Sequence, residues 1–149
     1  MTTVLSNCKE CNGADNILKE ACRRLGLTLI IPEKRIWNIE DLICESDLVV
    51  GIGRSLYDAM SCGRCVISWD NRSYNGNLGD GYLNNENIRQ SLVHNLSGRI
   101  TGHQFDVDMM IHELEKYNSD DGIFMRRFAE ENLDITRSVD TYLRLYNAM

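Results

Sequence analysis

Residues Leu48 to Ser68 read LVVGIGRSLYDAMSCGRCVIS. Leu48 to Val50 is a short apolar run, and Gly51 and Gly53 follow it. Ser55 to Cys62 then places Leu56, Ala59 and Met60 on one face at helical spacing, Gly63 ends that pattern, and Cys65 to Trp69 is apolar again. The segment therefore reads as strand, glycine turn, helix, glycine, strand. Strands that are apolar along their whole length are buried on both sides, which argues for a parallel sheet covered by helices.

The flanking sequence extends this pattern. Upstream, Thr3 to Ser6 is a strand candidate. Ile17, Leu18, Ala21, Cys22 and Leu25 share one helical face, and Gly26 stands where a helix commonly ends. Leu27 to Ile31 reads as a buried strand, and Asn38 as the cap of a short helix carrying Ile39, Leu42 and Ile43. Downstream, Ser73 to Asn85 is rich in Gly and Asn and reads as a loop or short hairpin. Helical patterns follow at Val107 to Leu114, around Phe124 and Phe128, and from Ile135 to Tyr146 with Asp134 as N-cap. The expected fold is a single α/β domain over residues 1–149: a Rossmann-like parallel sheet with helices on both faces and a helical C-terminal tail.

Composition narrows the function classes. The chain has 149 residues, of which 43% are hydrophobic and 26% charged, an ordinary globular balance. Lys plus Arg is 16 against 22 Asp plus Glu, a net charge of −6. Binding to nucleic acid wants a basic face, so no nucleic-acid partner is expected. The apolar runs are too short for a membrane span, and Met1 to Ser6 has no signal-peptide character, so a cytoplasmic location is expected. Six cysteines in such a chain read as reduced thiols.

In an open α/β sheet, ligands bind beyond the strand C-termini. Gly51 and Gly53 let backbone approach a ligand there, and the helix starting near Ser55 offers N–H groups and a positive dipole end to an anion. Arg54 adds a guanidinium fork suited to phosphate oxygens, and Asp58 can accept hydrogen bonds from a sugar. The competing interpretation is structural: Ser55 to Asp58 fits a variant capping box, and Arg54 a solvated surface residue.

The stretch ESDLVVGIGRSLYDAMSCGRCVISWDNR, with GDGYLNNENI and NLSGR after it, resembles the donor-binding C-terminal domain of GT-B glycosyltransferases. The likeness runs over roughly Val4 to Arg99, and the tail from Asp134 to Tyr146 is similar to the family's closing helix. It implies that Gly53, Arg54 and Ser55 bind the diphosphate of a nucleotide-sugar, a UDP-, GDP- or ADP-sugar, with Gly51 also in the substrate-binding set. It implies that Lys9 adds a basic group there. Asp58 stands where the family holds ribose with a glutamate one methylene longer. Asn71, Gly79, Asp80 and Gly81 complete the expected substrate-binding set. The E-x7-E pattern of retaining members is broken at Val50, so neither stereochemical course and no catalytic residue is assigned. No cofactor or metal is required in this scheme. A GT-B enzyme has two such domains, so an N-terminal acceptor domain or partner subunit is expected.

The alternatives are a nucleotide- or sugar-binding module without catalysis, and a redox or zinc protein built on Cys8-Lys-Glu-Cys11 and Cys62-Gly-Arg-Cys65. The two cysteine pairs are spaced more widely than zinc ribbons, and they fall at opposite edges of the expected sheet. His94, His103 and His112 lie at intervals that fit no ligand pair on one helix face.

Overall fold

Alternation along each strand divides the protein into two apolar layers. The computed structural model describes residues 2–6, 15–32 and 36–148. In strand β1 (Thr3–Ser6), Val4 faces one layer and its neighbour Leu5 the other. The same alternation holds in β3 (Leu48–Gly51), where Leu48 and Val50 oppose Val49. In β4 (Cys65–Asp70), Cys65, Ile67 and Trp69 oppose Val66. Successive side chains of a strand point to opposite faces, so a strand apolar throughout needs cover on both.

Helix α1 (Asp15–Leu25) covers the first face with Leu18, Ala21 and Cys22, beside Met110 and Leu114 of α5 (Val107–Glu115). The second face carries Ile43 of α2 (Ile39–Glu45), Leu56, Ala59 and Met60 of α3 (Arg54–Ser61), and Ile88 of α4 (Ile88–Val93). Met125, Phe128 and Ala129 of α6 (Ser119–Asn132) complete that layer. This is the expected α/β architecture with helices on both faces.

The six-stranded sheet has the order β2-β1-β3-β4-β5-β6, with β2 at Thr28–Ile30. The chain moves from β1 to β2 in one direction and then returns past β1 to β3. The order therefore reverses between β1 and β3, which opens a crevice beyond their C-terminal ends. Pairing is parallel from β2 through β4.

The sheet departs from the all-parallel expectation at β5 (Leu78–Leu83) and β6 (His103–Gln104), which both pair antiparallel. The reason is chain length. Only residues 71–77 join β4 to β5, and a parallel crossover needs about a dozen residues or more. The connection is instead a tight hairpin with a 3-10 turn at Ser73–Asn75 and a left-handed Gly76. A register shift at Ser68/Trp69 bends the β4–β5 ladder.

Buried polar groups lock this added layer. Glu113, 4% exposed, accepts from the Tyr82 N–H at 2.8 Å and pairs with Lys116 at 2.6 Å. The Tyr82 hydroxyl donates to Asp121 at 2.8 Å, and burial pushes its pKa up.

Helix α7 (Ile135–Asn147) is the helical tail, and the Asp134 carboxylate caps it by accepting from the Thr136 N–H. None of its residues is buried, and Ile135, Val139, Tyr142, Leu143, Leu145 and Tyr146 are exposed. The apolar spacing in the sequence thus forms an outward row rather than a packed one. Among the described residues, no helix is long and apolar enough to cross a membrane.

Candidate functional site

The turn after β3 and the hairpin after β4 form the walls of one crevice. Gly51 ends β3, and Gly53 caps α3 at φ +54, a left-handed conformation that favours glycine. The cap carries no side-chain hydrogen bond and the helix begins at Arg54, so Ser55 to Asp58 is not a capping box. The Gly53 N–H donates to the Leu96 carbonyl at 3.2 Å. That same carbonyl accepts from the Ser68 hydroxyl at 3.1 Å. Asn95 and Leu96 both hold positive φ, at 58° and 49°. Such backbone strain persists where packing and hydrogen bonds over-determine it, and Leu96 is fully buried. The Tyr57 hydroxyl, donating to Asn95 Oδ1 at 2.6 Å, ties the loop to α3 a second time.

The crevice has a volume of about 340 Å³, within the usual range for small-ligand sites. Ile52 and Gly53 line one side, His94, Asn95, Ser97 and Arg99 another, and Arg72 the third. Among the described residues, the lining holds two arginines and a histidine and no acidic residue, in a chain of net charge −6.

Asp70 holds Arg72 in place. The Asp70 carboxylate is 1% exposed and accepts from Arg72 Nε at 2.7 Å and from Arg72 Nη2 at 2.6 Å. Asn75 Nδ2 donates to it as well. Burial works against the Asp70 charge, but the hydrogen bonds from Arg72 and Asn75 outweigh it and hold the carboxyl below its usual range. The guanidinium of Arg72 also lies 4.9 Å from the centre of the Tyr74 ring, a cation–π contact.

The other expected site residues are distributed around this crevice. Arg54 is 91% exposed and lies along α3 beside Asp58, with 3.7 Å between Nε and Oδ2. Neither it, Ser55 nor Asp58 lines the crevice. Ser55 sits over the end of β3, where a Cβ on Gly51 would meet its own Cβ at 3.4 Å. Asn71 is buried directly after β4. Gly79, Asp80 and Gly81 lie within β5 and do not line the crevice. The Asp80 carboxylate accepts from Ser91 Oγ at 2.6 Å, from the Ile100 N–H at 2.8 Å and from the Thr101 N–H at 3.2 Å. It thereby anchors the segment that follows Arg99. Lys9, Cys8 and Cys11 lie outside the described residues.

Cys62 and Cys65 serve opposite layers. Cys65 is buried in the first and donates from Sγ to the Asn118 carbonyl at 3.2 Å, while Cys62 packs against the second. Among the described residues, no group of three or more His, Cys, Asp or Glu side chains could hold a metal ion.

Sequence reasoning did not select Arg72, His94, Asn95, Ser97 and Arg99. The stretch that ends on Arg72 and the segment NLSGR both carry part of the family resemblance, which was the available signal for all of them but His94. No spacing rule joins Arg72 to Arg99, because the β4–β5 hairpin and α4 lie between them. Neither a family model, nor a curated protein, nor a solved structure matches this chain.

Proposed function

We propose that the crevice beyond β3 and β4 takes the diphosphate of a nucleotide-sugar, and that the chain is the donor-binding part of a glycosyltransferase. The observation that carries this reading is the convergence of Arg72, His94 and Arg99 on one polar crevice beside the glycine turn that opens α3. Guanidinium forks are suited to phosphate oxygens, and the first turn of a helix favours an anion. In this reading Arg54 closes over the diphosphate from the α3 side. Its exposed pairing with Asp58 is of a kind worth at most about 1 kcal/mol, so exchanging it for a phosphate contact costs little. Asp58 then holds ribose hydroxyls and contributes binding and orientation. The fixed cations offset charge that builds on the leaving diphosphate.

A nucleotide-sugar as ligand, an acceptor domain or partner subunit and a cytoplasmic setting belong to the same proposal. The test is a calorimetric titration of the protein with UDP, GDP, ADP and pyrophosphate, with amide NMR shifts recorded in parallel. Saturable binding of one nucleotide that moves amides at Gly53, Asn95 and Arg99 is the expected result. No heat and no shifts at millimolar ligand overturn the reading. A binder that shows no transfer with any acceptor extract, even beside a candidate acceptor domain, is instead a binding module.

A further inference from the structure

Cys62 has a different thiol neighbour from the one its C-x-x-C spacing suggests. Cys65 is occupied on the other layer of the protein, and the thiol that neighbours Cys62 is that of Cys44. The approach follows from packing. Cys44 lies in the last turn of α2, Cys62 is the C-terminal cap of α3, and both helices cover the same sheet face. Arg64 fixes their relation, since its Nη2 donates to the Cys44 carbonyl at 2.7 Å from only two residues beyond Cys62. The Arg64 Nε is buried with no hydrogen-bond partner among the described residues. Burial and the neighbouring Cys44 thiol push the Cys62 thiol up, and the Arg64 cation offsets only part of that rise. Cys44 is exposed and Cys62 half-buried, so a reagent reaches the pair from solvent through Cys44.

We propose that Cys44 and Cys62 form a reversible disulfide that ties α2 to α3, with a low-molecular-weight disulfide as the oxidant. The Cys44 thiolate attacks one sulfur of the small disulfide, breaks its S–S bond and releases one small thiolate, which takes up a proton. Cys62, deprotonated in turn, attacks the Cys44 sulfur of the mixed disulfide and expels the second small thiol. The protein loses two electrons and two protons, and the small disulfide is reduced to two thiols. The bridge forms at the opposite end of α3 from the crevice and does not depend on what the crevice binds.

The experiment uses the full chain. The folded protein is incubated with oxidised glutathione, remaining thiols are alkylated, and a non-reducing digest is mapped by mass spectrometry. The expected product joins the peptides of Cys44 and Cys62, with a mass lower by two hydrogens, and dithiothreitol reverses it. In Cys44→Ser and Cys62→Ser, each checked for native circular dichroism, the cross-link is lost and the remaining cysteine carries glutathione. Separate glutathione adducts on both residues of the wild-type protein overturn the proposal. So does a Cys62–Cys65 bridge, or full alkylation of both thiols after oxidant treatment.

Discussion

Asp70 and Arg72, two residues apart at the C-terminal end of β4, form a two-pronged ion pair in which the acid is 1% exposed and the base reaches solvent at 36%. The buried carboxylate is spent on orienting the guanidinium, and this turns a flexible side chain into a fixed wall of the crevice.

Replacing that carboxylate tests the arrangement through pH. Asp70 has its folded pKa below its ordinary value of 3.8, so its contribution to stability is fully present above that value. It is lost as pH falls through the lower, folded pKa. Asp70→Asn is expected to cost about 1.5–3 kcal/mol at neutral pH, towards the lower end because Arg72 is partly solvated. Urea denaturation at a series of pH values should show the gap between variant and wild type closing in acid. A gap that stays constant with pH would mean that the charge of Asp70 contributes nothing.

The lining arginines and Arg54 separate by their setting. Arg99→Ala and Arg72→Ala are each expected to weaken pyrophosphate or nucleotide binding by about 1.5–3 kcal/mol, the range for hydrogen bonds to charged groups. Arg54→Ala, at a highly exposed position, should cost less for pyrophosphate. Calorimetry on the three variants measures this ranking, and an Arg54→Ala effect that exceeds both others would move the anion out of the crevice and onto the helix start.

Gly79 answers to packing. A Cβ there would lie 2.6 Å from the Phe105 ring and 2.8 Å from the Ser68 carbonyl, at the register shift of the β4–β5 ladder. Gly79→Ala is expected to destabilise by about 1–3 kcal/mol, as other overpacked positions do. In a chain of this length each kilocalorie lowers Tm by roughly 2–4 °C. A thermal melt unchanged from wild type would mean that β5 does not sit against Phe105 as described.

Much of this architecture is legible in the chain because its signals are local. Leu48 to Val50 is apolar at every position and Cys65 to Trp69 at every position but Ser68, and both lie inside observed strands. Leu18, Ala21 and Cys22 fall on one face of an observed helix and are buried there. The strand β5 is hidden because Gly79, Asp80 and Gly81 interrupt its apolar pattern, and what makes it a strand is pairing to β4. Helix α4 is hidden because it is short and buries only Ile88 and Ser91. The outward row on α7 carries the same periodicity as a packed helix, and periodicity does not say whether anything covers it. The crevice was only half visible for a related reason. Gly53 announces itself by the turn it makes, whereas Arg72, His94 and Arg99 gain meaning only when the hairpin folds them together.

The Leu96 carbonyl, which receives both the Gly53 N–H and the Ser68 hydroxyl, has a mechanical consequence. Three segments far apart in sequence hang on a single oxygen atom, held by two consecutive left-handed residues that resist rotation. The start of α3 cannot swing away from β4 without breaking one of these bonds, so the shared oxygen couples these walls of the crevice. A ligand entering it meets a shape already set during folding, and little ordering entropy is left to be lost at the moment of binding.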